Sequence, residues 1–432
     1  HAHTRHQRAP APYRLRLLPS KVCLADLAAF LPALGRLPEV LRVGATVSGT
    51  INEPTIEELS VGQGDALSLT ARATLRGVRH ADRLYIDGRV ARLQLTSSGL
   101  ATLIHRFGDP SAALPEPVER LGTLRFTGEV SGFLDRLVAY GSLTSDVGRL
   151  DMDLMIGSNR RERIATLLRG RIESSELDIH RLFDEGNAFG SVRFNAELDA
   201  SKPMGGELAG TVRAHIDRLE YNQYGYGNIA LDGSFGPREF RGSVRVDDPN
   251  GSFQAEGLFL SNGAASAFDF TAAVRHLRPD RLHLTDRYED PDLSFDLRSN
   301  ITGNSPDNFR GTVCIDAPVF LTRTDSLALR EVCIEADGAF PDRRIAVHSD
   351  LVDGELRGAF TVADLPAAVR KVMHAALPSV FEAPTRRVAD DASHFILTAS
   401  VRNTEVLSRQ LRLPVTVVEP ATVKADYDGH TG

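Results

Sequence analysis

Gly210-Thr-Val-Arg-Ala-His-Ile216 decides how the chain reads: Val212, Ala214 and Ile216 fall on one side of an extended backbone, Arg213 and His215 on the other. Successive side chains of a strand point to opposite faces, so a period of two predicts a strand with one apolar and one polar face. Upstream, Gly190-Ser-Val-Arg-Phe-Asn-Ala-Glu-Leu198, Leu124-Arg-Phe-Thr-Gly-Glu-Val130 and Leu41-Arg-Val-Gly-Ala-Thr-Val-Ser-Gly-Thr-Ile51 alternate in the same way. Downstream come Ile229 and Leu231, Arg241-Gly-Ser-Val-Arg-Val-Asp247, then Phe253, Ala255, Gly257 and Phe259. Phe268, Phe270, Ala272 and Val274 continue the pattern, followed by Leu293, Phe295 and Leu297, then Val313 and Ile315. These segments of roughly 8 to 10 residues end in turn residues, as at Asp232-Gly233, Asp248-Pro-Asn-Gly251 and Ser261-Asn-Gly263, which predicts a meander of antiparallel hairpins.

Helical spacing is rare. It appears at Asp26–Leu31, Gly99–Arg106, Asp178–Phe183 and Asp364–Leu377, and strand patterns resume after the first three. One short helix plus several strands thus recurs roughly every 75 to 100 residues, as expected of units that stack on their neighbours. The fold class expected is mainly β, an elongated, curled antiparallel sheet forming an open apolar groove with a few short helices. A closed barrel or sandwich gives the same alternation and stays open as an alternative. A β-helix fits less well, because its short coils carry no helices.

Composition narrows the function. The 432 residues are 42% hydrophobic and 25% charged, which is globular, and the net charge of −7 has its basic residues interspersed with acids, against a nucleic-acid groove. Lys stands only at Lys21, Lys202, Lys371 and Lys424; the remaining basic residues are Arg, read as coding bias and not as phosphate recognition. No stretch approaches the roughly 20 apolar residues of a membrane-spanning helix, and His1–Pro12 lacks the apolar core of a signal peptide. The chain opens without Met and stops at Asp428-Gly-His-Thr-Gly432 without a closing element, so a section of a larger protein is expected, its anchors and signals lying elsewhere.

The passage Leu168-Arg-Gly-Arg-Ile-Glu173, Asp178-Ile-His-Arg-Leu-Phe183, Gly190–Leu198, Gly210–Ile216, Tyr226-Gly-Asn-Ile-Ala-Leu-Asp-Gly-Ser-Phe235 and Val246-Asp-Asp-Pro-Asn250 resembles the AsmA-like modules of TamB-type envelope proteins, particularly of the Bacteroidetes kind. Cys23–Leu31 followed by Val47-Ser-Gly-Thr-Ile51 resembles the same module earlier in the chain. On this resemblance, residues 1–20 are a preceding strand or mobile end, 21–98 and 99–177 are one module each, 178–362 is a long β-groove module, and 363–432 is a helix plus strands opening a further one. The resemblance implies a periplasmic protein anchored in the inner membrane, whose groove carries phospholipid acyl chains and which meets a BamA-like outer-membrane barrel through parts outside this chain. It also implies a role in outer-membrane biogenesis, the alternative being a scaffold for assembly or secretion of outer-membrane proteins. Anchor and barrel-docking regions of that family are missing from this sequence.

Candidate groove-lining residues are Val212, Ile216, Ile229, Leu231 and Phe253, together with Phe259, Phe268, Phe270, Phe295 and Leu297; the competing reading is mutual packing in a closed core. Cys314 and Cys333 alternate onto the polar face and read as two unlinked thiols, the alternative being a cross-strand disulfide if their strands are neighbours in an oxidising periplasm. With Cys23 they are too few and scattered for a zinc site or a disulfide framework. No cofactor is expected, and no catalysis. Asp151 and Asp153 at i and i+2 face solvent, Asp247-Asp248 is turn chemistry, and His80 with Asp82 lacks a nucleophile. Gly225-Tyr-Gly227 lacks the third glycine of a dinucleotide loop and reads as a turn, and His1, His3 and His6 read as a mobile end.

Overall fold

A computed structural model describes residues 12–23, 40–80, 83–101, 116–159, 162–183, 186–261, 266–362, 365, 368, 370–371, 374, 378–379, 393–411 and 416–428. The chain is mainly β and forms one 23-stranded antiparallel sheet that is not closed into a barrel. It divides into two compact units, 1–225 and 226–432, a border inside the module expected over 178–362. No helix among the described residues is long and apolar enough to cross a membrane.

The first unit opens with β1 (Tyr13–Cys23), β2 (Val40–Gly49), β3 (Pro54–Gln63), β4 (Leu67–Arg76) and β5 (Tyr85–Leu95). After α1 (Glu116–Glu119) come β6 (Leu124–Phe133), β7 (Arg136–Ser145), β8 (Gly148–Asn159), β9 (Ile164–Asp178), β10 (Phe189–Pro203) and β11 (Ala209–Tyr221). Each strand pairs with its chain neighbour, so the register is set between strands consecutive in sequence. The helical spacing at Asp178–Phe183 resolves differently from expectation. β9 runs through Asp178, and only His180–Leu182 turn, as a 3-10 helix closed by extended backbone at Phe183. That turn packs Leu182 and Ile179 against the buried cluster Val147, Leu177 and Val192. Residues 97–101 are helical; the helix expected at Asp26–Leu31 and the rest of that at Gly99–Arg106 lie outside the described residues, as do His1, His3, His6 and Asp82.

Asn222 and Gln223 join β11 to β12 (Tyr224–Gly236), both with left-handed φ, 50° and 63°, as the central residues of a type I′ turn require. The turn therefore sits there, and Gly225-Tyr-Gly227, expected as a turn, is strand. The second unit continues with β13 (Glu239–Asp248), β14 (Gly251–Ser261), β15 (Ser266–Leu277), β16 (Asp292–Gly303), β17 (Arg310–Leu321), β18 (Ser326–Ala328) and β19 (Glu331–Ala339). β20 (Asp342–Ser349), β21 (Val352–Ala359), β22 (His394–Val401), α2 (Glu405–Leu411) and β23 (Ala421–Asp428) complete it. β17 pairs with β18 at one end and β19 at the other. The core is the cluster Leu356, Phe360, Ala368, Phe395 and Tyr427, where helical residues 365 and 368 cover the sheet.

Two glycine pairs let strands approach under an aromatic ring. Gly128 faces Gly141 across β6 and β7, and Gly233 faces Gly242 across β12 and β13. A Cβ on Gly128 would clash with Tyr140 O and lie 2.9 Å from Phe126 Cζ, and one on Gly242 would clash with Asp232 O and lie 3.1 Å from Phe240 Cζ, so the opposing backbone and the ring together leave no room for a side chain. Gly128→Val is expected to cost about 1–3 kcal/mol through overpacking. The measurement is the urea midpoint, and an unchanged midpoint contradicts this close strand approach.

Candidate functional site

Directly opposed residues of an antiparallel pair share a face, so the registers assemble the alternating residues into rows. In the second unit Leu231 faces Val244, and the row continues through Ala255, Ala272, Leu297 and Ile315. A parallel row runs Ile229, Val246, Phe253, Val274, Phe295; a bulge between Ser294 and Asp296 ends its pairing there. Phe259 and Phe268 are opposed with ring centroids 5.0 Å apart, and Phe270 lies in the row of Gly257 and Ser299. These eight candidates thus occupy one apolar face. In the first unit Val212 faces Leu198 and Ile216 faces Phe194, and their face continues through Leu154, Leu168 and Ile172, which the sequence reading did not single out. The signal was present, since the same alternation runs through β8 and β9.

Burial along this face is uneven. Ile229 and Val274 are 7% and 5% exposed, whereas Phe259 is 38%, Ile334 44% and Ile156 48% exposed. A closed core would bury large side chains on all its rows. Polar groups interrupt the face, among them Ser299, buried with no partner for its hydroxyl, and Arg343. Arg343 is buried and donates to Asp307 Oδ1 at 3.0 Å, Pro306 O at 2.9 Å and Phe360 O at 3.1 Å, its guanidinium stacked on the Phe360 ring. Asp342-Arg-Arg-Ile345 carried the hint, because two adjacent arginines on a strand must face opposite ways.

The opposite face is charged. Arg298 on β16 donates to Asp316 on β17 at 2.7 and 2.8 Å and reaches Glu331 on β19 at 3.2 Å. Arg344 bonds Glu355 at 2.8 Å and Glu335 at 3.5 Å, Arg171 bonds Glu197, and Arg169 bonds Asp199. The hydrogen bond from Arg298 holds the Asp316 carboxyl below its ordinary range, and the Arg330 backbone N–H and guanidinium do the same for Asp350. Asp151 is paired with Arg149 and exposed, while Asp248 accepts from the N–H groups of Asn250 and Gly227 in a turn. These are ladder and turn contacts. Cys314 and Cys333 are joined by a disulfide and are not the unlinked thiols expected, because the β17–β19 register opposes them directly; Cys23 is a free thiol on β1.

Comparison of the chain with family models, curated proteins and solved structures returns no match.

Two expectations follow from the charged face. A depressed carboxylate stabilises the fold above its unfolded pKa and ceases to as pH falls through its folded value, so the urea midpoint should hold from pH 7 to about 5 and decline below about 4. In Arg298→Met that acid decline should be shallower, because Asp316 loses its main depressing contact; the effect is small for so exposed a pair, and pH-dependent urea titration measures it. Replacing both Cys314 and Cys333 by Ser removes a link spanning 19 positions, with an expected loss of about 3 kcal/mol by the chain-entropy relation, read from denaturation of the oxidised parent and the double variant.

Proposed function

We propose that the chain forms part of the periplasmic groove of a TamB-like envelope protein, shielding and passing phospholipid acyl chains between inner and outer membranes without catalysis. The observation that carries this reading is the extended apolar face within each unit, on which Ile156, Ile334 and Phe259 remain substantially exposed. Removing apolar surface from water gains roughly 25 cal/mol per Å², so covering a few hundred Å² of lipid tail gives several kcal/mol without a directional bond. Many equivalent weak contacts suit sliding cargo better than one tight site. Docking to a BamA-like barrel belongs to the same proposal and involves parts outside this chain. A second reading, a scaffold that pairs with unfolded outer-membrane strands, is favoured by β1 and β23, each of which has one sheet partner among the described residues.

Native mass spectrometry with lipid extraction, on the chain expressed in a Gram-negative host, tests the first reading. Co-purified phospholipid is expected in the parent and lost in Leu231→Asp and Phe270→Asp variants that keep their β circular dichroism. A lipid-free parent that is monomeric and folded overturns the conduit. Sensitivity confined to β1 and β23 supports the scaffold instead.

A further inference from the structure

The charged face carries a cluster that the lipid reading does not use. Among the described residues, one sulfur each from Cys314 and Cys333 and one carboxylate oxygen of Glu331 lie within 4.8 Å of one another. β17 and β19 bring them together. Cys314 and Cys333 are direct cross-strand partners, and Glu331 stands opposite Asp316, two residues from Cys333 on the same face of β19. His348 on β20 is the cross-strand partner of Cys333, extending the same row by a nitrogen donor.

We propose that reduction of this disulfide converts the pair, with Glu331, into a binding site for a thiophilic divalent cation, Zn²⁺ being the chemical type. The step balances. A dithiol reductant supplies two electrons and two protons, the S–S bond breaks to two thiols, and the reductant closes its own disulfide. The cation then displaces the two thiol protons, giving two thiolates and one carboxylate as ligands, with a fourth place for water. Two further features support it. Arg298 holds Glu331 at 3.2 Å but Asp316 at 2.7 and 2.8 Å, so Glu331 is the partner it releases at least cost. The same guanidinium lies against a site whose net charge, with cation, two thiolates and carboxylate, is −1, and a cation beside a thiol favours the thiolate. Oxidation excludes the metal, because disulfide sulfurs carry no thiolate charge. The site is independent of the lipid reading, since its readout is metal absorption.

The test uses the full chain carrying Cys23→Ser, which removes the third thiol. The chain is reduced, freed of reductant under anaerobic conditions and titrated with Co²⁺ as the spectroscopic probe. One equivalent of Co²⁺ is expected, with a thiolate-to-cobalt charge-transfer band that Zn²⁺ abolishes. The oxidised chain and Cys314→Ser should show no band, and Glu331→Gln should bind at least tenfold more weakly while keeping its β circular dichroism. Absence of the band in the reduced parent overturns the site, as does a Glu331→Gln affinity equal to the parent's. A reduced chain that loses its strand signal overturns it as well, because the two strands must hold the thiols together without the bond.

Discussion

An antiparallel sheet that is not closed has an apolar face with nothing in its own strand pairing to cover it, and the rest of this structure answers to that constraint. Each strand pairs with its neighbour in sequence, so register is set hairpin by hairpin. A slip of one residue would turn a whole strand's apolar set outward, and the observed registers avoid this throughout: Leu231 meets Val244, Val212 meets Leu198, Ile345 meets Leu356. Where the sequence breaks alternation, the backbone absorbs it. Val90 and Leu93 are three apart yet face Gly128 and Phe126, two apart on β6, because a bulge between them takes up the extra residue.

The ion pairs of the charged face contribute to register. Exposed ion pairs are individually worth little, but Arg298 contacts β17 and β19 at once and Arg344 contacts β19 and β21, so each spans three strands and is satisfied in one register only. On β1, Arg14 reaches across β2 to Glu57 on β3, which also accepts from Ser48. That strand, paired among the described residues with β2, carries Pro19 beside a bulge and Lys21, features that make an edge selective against indiscriminate strand pairing.

Strands and faces were legible because period two depends on the backbone alone, and all ten candidate lining residues fall on the apolar face. The helical stretch at Asp178–Phe183 was misread because a three-residue turn leaves the same apolar spacing as a helix; only the pairing of Ser191 with Asp178 shows that the strand runs that far. Gly225-Tyr-Gly227 misled for a related reason. Glycine marks turns, but here the left-handed residues are Asn222 and Gln223, and the glycines lie in the strand, where a Cβ on Gly225 would come 2.7 Å from Arg218 Nε. Arg343 escaped notice because its burial rests on Asp307 and Phe360, both distant in sequence and brought close only by the fold.

How the chain treats its own apolar face bears on what else that face accepts. In the second unit residues 365 and 368 cover Leu356, Phe395 and Tyr427, with Lys371 over the Tyr427 ring; in the first, the turn at His180–Leu182 covers Leu177 and Val192. Rows beyond these covers keep Ile334, Phe259 and Ile156 open to water. The free energy of covering scales with apolar area and carries no directional requirement. A helix face and an acyl chain satisfy such a surface by the same non-directional term, so under the proposed lipid reading the segments that shield it within the chain would set the limits between which a foreign tail competes for the remainder.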